Sequence, residues 1–148
     1  MQGLQQPCLQ KLEIKMDKIA ILLRMAQLFA HNAHNLISGP SFFADHAFLG
    51  DLYPAYEDAY DAVVERMIGL GHSPDLIGIQ EQAVKMLCAK SPEVKAPDVF
   101  KQIGNMEMSL RAQIDKEIPQ CSEGSKQFLG GLADESEQRQ YKLLQRVK

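Results

Sequence analysis

Tryptophan is missing from the 148 residues, and four tyrosines and six phenylalanines make up all the aromatic side chains. A large core built from this chain is therefore mainly aliphatic. Cysteine is scarce: Cys8, Cys88 and Cys121 are odd in number, far apart and outside any C-x-x-C spacing, which argues against a disulfide framework or a thiolate zinc site. They are expected to be reduced thiols, with Cys8 the most exposed. No apolar run approaches the roughly 18 residues that a membrane span needs. The opening MQGLQQPCLQ lacks the charged and apolar regions of a signal peptide, so no membrane association and a cytoplasmic location are expected. Strong charge is lacking too. A formal net charge of −3 and a pI near 5.8 give no general attraction to nucleic acid or to an anionic membrane. No phosphate-binding loop, nucleophile elbow or Cys-His arrangement stands out. Also absent is Glu-x-x-His, the motif that two helices of a bundle need to hold a di-iron centre between them.

What remains is a globular composition, 45% hydrophobic and 24% charged, of a length that suits one domain with a real core. Helical periodicity dominates it. Residues 1 to 8 read as a polar tail, because Gly3 and Pro7 oppose helix. A long first helix follows from Leu9 to Ile37, with Ile19, Leu22, Leu23, Ala26, Phe29, Ala30, Ala33 and Ile37 in one apolar stripe. The second helix runs from Ser41 to Leu70, and Pro54 is expected to kink or split it near Tyr53. Ser73-Pro74-Asp75 opens a short helix reaching Cys88, with Ile77, Ile79, Val84 and Leu87 as its apolar contacts. The third long helix spans Pro97 to Ile118, with Phe100, Ile103, Met106, Leu110, Ile114 and Ile118 inward. Ser122 to Ser125 starts the last, which continues to Val147 with Phe128, Leu129, Leu132, Tyr141, Leu143 and Leu144 inward. The predicted fold is all-α, a four-helix bundle whose middle connection is long enough to travel the bundle's length and contains the short extra helix.

Chemistry concentrates between His31 and Arg66, which holds three of the four histidines; His72 lies alone in a loop. Ser38-Gly39-Pro40-Ser41 forms a turn between two antiparallel helices: Gly ends the first, Pro cannot continue it, and Ser41 is placed to cap the second. His34 and His46 lie about equally far from this turn, so their side chains can meet across the hairpin. Asp61 and Glu65 are spaced i, i+4 and share a helix face, as carboxylates that share a cation must. Asp61 nevertheless lies fifteen residues beyond His46, roughly 22 Å along a helix. One chain cannot close a site from these four groups. Two copies related by a two-fold axis could bring His34 and His46 of one to Asp61 and Glu65 of the other.

The run H-N-L-I-S-G-P-S-F-F-A-D-H at 34 to 46, then L-Y at 52 and 53 and D-x-x-x-E-R at 61 to 66, resembles the signature of the Dps mini-ferritins. The resemblance extends weakly through Gly71-His72-Ser73-Pro74 and Ala96-Pro97 to the last helix. It implies a ferritin-like subunit over residues 9–148, a hollow dodecamer, and iron oxidation at two-fold interfaces. The family's metal ligands fall on His34, His46, Asp61 and Glu65. A fifth ligand, an Asp one turn after the second histidine, is replaced by Gly50. His31 and Asp51 are the further candidates, although Asp51 points about 100° away round the helix from that missing position. Arg139 and Tyr141 stand where the family usually has His and Trp, which marks a divergent member.

The reading is then a ferroxidase that takes Fe(II), or another divalent metal, and stores ferric iron in its cage, limiting oxidative damage. The alternative is a structural or DNA-associated cage with a degenerate metal site. The family's name suggests DNA as a partner, but twelve copies at −3 would carry about −36, which opposes phosphate contact. Lys11, Lys15 and Lys18 share a helix face, and Arg139, Lys142, Arg146 and Lys148 cluster near the end; both groups are expected to be ordinary solvated charges.

Overall fold

The computed structural model describes residues 6–88 and 95–148, with side chains from Met16 onward. All regular structure among these residues is helical. Four long helices, α1 (Gln6–Leu36), α2 (Phe42–Gly69), α4 (Ala96–Glu117) and α5 (Glu123–Val147), are joined by two tight connections and one long crossover that carries α3 (Leu76–Cys88). The four-helix bundle and the extra helix are therefore as the periodicity predicts. α1 begins three residues before the expected Leu9, because proline is tolerated in a helix's first turn. The proposed tail is otherwise outside the described residues, as are the side chains of Cys8, Lys11 and Lys15.

α1 is the central element, packed against α2, α3 and α4, while α4 pairs with α5. Its stripe of Ile19, Leu23, Ala26, Phe29, Ala30, Ala33 and Ile37 is buried, and Leu22 is half-buried. From the facing helices come Leu49, Tyr56, Val63 and Met67 of α2, Phe100, Ile103 and Ile114 of α4, and Leu129 and Leu143 of α5.

Four expectations change. α2 is not split, and runs through Pro54 as one element. A proline costs the one backbone bond its nitrogen would have donated, and the packing of α2 along its length on α1 outweighs that loss. Ser41 occupies the N-cap position of α2 without a side-chain bond; instead Gly39, at φ +108°, turns the chain so that its carbonyl accepts the Phe42 N–H at 3.1 Å. Ile77 (73% exposed) and Val84 (46%) face outward, and α3 buries Ile79 and Ala83 instead. In α5, Tyr141 (65%) and Leu144 (56%) are likewise outside. Periodicity finds an apolar stripe but does not say which edge of it meets the bundle and which meets solvent or another subunit.

Two helix starts behave as their residue types predict. Asp75 accepts the N–H of Gly78 at 3.0 Å before α3, and Ser122 accepts that of Ser125 at 3.4 Å before α5. Among the described residues, no helix is long and apolar enough to cross a membrane.

Candidate metal centre at the α1–α2 hairpin

The hairpin brings His34 and His46 together as their spacing predicts. The two imidazoles stack, with ring centroids 3.8 Å apart and planes 22° from parallel. Each ring also bonds the other's backbone: Nδ1 of His34 lies 2.9 Å from the carbonyl oxygen of His46, and Nδ1 of His46 lies 2.9 Å from that of His34. A carbonyl oxygen only accepts, so both Nδ1 atoms carry the proton and donate. The Nε2 lone pairs are left to accept a proton or a metal. An imidazole oriented through its other nitrogen in this way is the usual arrangement of a metal-binding histidine.

The acceptor carbonyl of His34 is available because it belongs to the last turn of α1, where helical partners run out. Further rings extend the stack. Phe42 lies on the far side of His46 at 4.9 Å, and Tyr53 is tilted against His34 at 5.4 Å and stacked on His31 at 4.0 Å, nearly parallel at 6°. His31 thus lies beside the pair, held against Tyr53.

Stacked rings do not chelate one ion. A metal at about 2.1 Å should lie in the plane of each imidazole that binds it, and two nearly parallel planes 3.8 Å apart do not converge at that distance. The hairpin offers two separate nitrogen donors. Asp61 and Glu65, further along α2, are both exposed, as is Asp51. Among the described residues of a single chain, no three His, Cys, Asp or Glu side chains come together as a metal-binding group.

Gly50 has a role that spacing alone did not suggest. A Cβ at this position would lie 3.1 Å from Cε1 and 3.4 Å from Nδ1 of His34, tighter than ordinary packing. The bare backbone of Gly50 lets the His34 ring lie against α2 and reach the His46 carbonyl.

Two buried ionic contacts were also missed. Asp45, immediately before His46 and 3% exposed, receives Nε and Nη2 of Arg146 at 2.8 and 2.9 Å. Arg146 also lies over Phe100, at 5.2 Å from the ring centre, and Asp45 holds its pKa above the ordinary value. Glu107, 1% exposed in α4, accepts from Tyr56 Oη at 2.5 Å, from Ser136 Oγ at 2.6 Å, and from the guanidinium of Arg139. Arg139 and Arg146 are therefore ion-paired within the subunit rather than solvated. Glu107 carried a signal: it falls on the stripe of Ile103, Leu110 and Ile114, a carboxylate on an apolar face. The partners, 101 and 32 residues away in sequence, left none.

A family model described as a ferritin-like domain matches residues 18–148. The DNA protection during starvation protein of Helicobacter pylori is 31% identical over 94 residues, which span 61% of this chain and 60% of that protein. Among solved structures, a Dps protein from Bacillus brevis aligns with a TM-score of 0.85 at 16% identity, covering 98% of this chain and 100% of the other. A Dps protein from Vibrio cholerae, described as a member of a broad superfamily of ferritin-like diiron-carboxylate proteins, aligns at 0.86 and 17% identity, over 96% and 92%. At such identities the structural matches speak to fold. With the match along residues 18–148, they place the chain in a family: it belongs to the ferritin-like proteins, and its likenesses within them run to Dps.

Proposed function

We propose that this chain is a Dps-like mini-ferritin that binds and oxidises Fe(II) at sites shared between two copies of itself, and stores the ferric product in a closed dodecamer in the cytoplasm. The observation that carries the reading is the reciprocal bonding of His34 and His46, which fixes both Nδ1 atoms as donors and leaves both Nε2 lone pairs available to a metal. The missing donors are carboxylates, and Asp61 and Glu65 supply them on an exposed face too far along α2 for the same chain to use. A two-fold partner supplies that face. Leu36 and Phe43 on the hairpin and Ile77 on α3 are 58%, 87% and 73% exposed, apolar surface suited to a contact between copies.

Imidazole nitrogen and carboxylate oxygen are the donor types that suit Fe(II). Iron is the substrate here, and each residue has a separate task. Each imidazole offers its own nitrogen to an incoming ion in a fixed direction, because the backbone bonds hold the rings. The carboxylates neutralise its charge and favour the more highly charged oxidised product. The stacked Tyr53 and His31 shield one side of the pair.

One observation favours the alternative, a cage with little oxidase activity. The place of the expected fifth ligand is taken by Gly50 and the His34 ring lying against it. Sedimentation of the purified protein, followed by anaerobic Fe(II) titration and exposure to peroxide or oxygen, tests both readings. The proposal expects a hollow particle that binds and oxidises iron. A particle that does neither supports the alternative, and a stable monomer contradicts both.

A further inference from the structure

In ferritin-like di-iron proteins the metal sits inside the bundle, between carboxylates projecting from facing helices. The interior here does not fit such a centre. It contains Glu107 of α4, with Tyr56 from α2 and Ser136 and Arg139 from α5 converging on it. We infer that Arg139 excludes divalent cations from the interior of the bundle, its guanidinium holding the position beside Glu107 that a metal ion would otherwise take.

The carboxylate is fully engaged. One oxygen accepts from Tyr56 Oη and Arg139 Nε, and the other from Ser136 Oγ and, at 3.4 Å, Arg139 Nη2. A buried carboxylate needs a positive partner or a proton. The guanidinium supplies the charge while lying 5.0 Å over the Tyr56 ring, so it fills the space as well. Burial, then the charge and hydrogen bond of Glu107, push the Tyr56 phenol well above its ordinary pKa, which keeps it a hydrogen-bond donor rather than a phenolate ligand. Arg139 remains cationic: burial opposes its charge, but the bonds to Glu107 outweigh burial and raise its pKa.

Arg139 stands where the bundle interior meets a surface groove. A groove of about 670 Å³ runs between α2 and α5, its charged lining being Asp51, Asp58 and Glu135 with Arg139 and Lys142. Arg139 both lines the groove, beside Glu135, and reaches the buried Glu107. Without the guanidinium, three oxygen-bearing side chains on three helices would face an entering ion. If the shared-site reading above is also right, the consequence is that a single subunit has no iron chemistry of its own.

The test uses the full chain in a background with His46→Ala and Asp61→Ala, so that the shared site cannot contribute and the two readings fail separately. Mn(II) is the probe, because it accepts oxygen ligands and reports by electron paramagnetic resonance. The background protein should hold no Mn(II) in its interior. Arg139→Ala should gain one Mn(II) per chain, Arg139→Lys should not, and adding Glu107→Gln to Arg139→Ala should abolish the gain. If Arg139→Ala is too unstable to isolate as a folded cage, Mn(II) should raise its Tm while leaving that of the Glu107→Gln double variant unchanged. An Arg139→Ala protein that neither binds Mn(II) nor is stabilised by it overturns the inference. So does interior Mn(II) in the background protein with Arg139 intact.

Discussion

His34 and His46 exchange hydrogen bonds, each Nδ1 donating to the other residue's backbone carbonyl at 2.9 Å. The tautomer of both rings is therefore set by backbone geometry, and anything that moves the α1–α2 hairpin changes the direction of two ligands at once. Gly50 and Asp45 on α2 are the residues best placed to do so.

Replacing Gly50 by alanine separates helix propensity from crowding. Propensity alone favours Ala in a helix interior by about 1 kcal/mol. The new Cβ, however, falls 3.1 Å from His34 Cε1 and obliges the ring to shift by a few tenths of an ångström. Gly50→Ala is expected to be stabilised by less than the propensity gain and to bind Fe(II) or Zn(II) several-fold more weakly, with displaced His34 resonances in long-range ¹H–¹⁵N spectra. Gly50→Asp adds a carboxylate one turn after His46 at the same steric cost, so it should bind more tightly than Gly50→Ala. Unchanged His34 resonances and affinity in Gly50→Ala would show that the ring does not depend on the bare backbone.

Arg146 holds the start of α2 from the far end of the chain. Its fork to Asp45 ties the first turn of α2, which has no side-chain cap from Ser41, to the end of α5. Arg146→Ala leaves a buried carboxylate unpaired, and because Arg146 is partly open to water the loss should lie near the lower end of the roughly 3–5 kcal/mol expected for a buried pair. Arg146→Lys should recover only part, since an ammonium lacks the two-pronged geometry. Chemical denaturation measures both. An Arg146→Ala protein as stable as the parent would mean that Asp45 finds other partners.

These contacts also mark how far the residues could be read without coordinates. The hairpin, the meeting of His34 with His46, and the bundle are legible in the sequence, because turn residues and a 3.6-residue period act locally, whereas the stacking of the two rings is not. Ile77, Val84, Tyr141 and Leu144 fall on apolar stripes yet lie outside, since periodicity does not say which edge of a stripe meets the core. The pairs Asp45–Arg146 and Glu107–Arg139 depend on which helices become neighbours, and only the fold decides that. Gly50 was legible as a missing ligand and illegible as space for His34.

Tyr56 gives the protein an alkaline limit. Its pKa is raised in the folded state, so the proton is bound more tightly there than in the unfolded chain. Its contribution is complete below the unfolded value of about 10 and is lost as pH rises above it, because the unfolded phenol ionises first. Denaturation midpoints should therefore fall above pH 10, and Tyr56→Phe should flatten that fall. The same substitution should cost about 1–3 kcal/mol at neutral pH by leaving Glu107 short of one donor. An unaltered alkaline slope in Tyr56→Phe would exclude this phenol as the cause.

Binding to DNA should be weak near neutral pH at physiological salt. The net charge is −3 per chain, and two of the four basic residues near the C-terminus, Arg139 and Arg146, are occupied by Glu107 and Asp45. A mobility shift with long duplex should show little retention. Tight binding that weakens steeply with added salt would show that local basic surface outweighs the total charge.

The central claim is that the metal site is assembled from two chains, and mixed particles test it most directly. His46→Ala and Asp61→Ala cages should each fail to bind and oxidise Fe(II) when pure. Co-assembled from both variants, the particles should recover a fraction of the sites, because some interfaces then pair an intact His34–His46 hairpin with an intact Asp61–Glu65 face. Verified mixed particles that recover no binding would contradict the two-chain site.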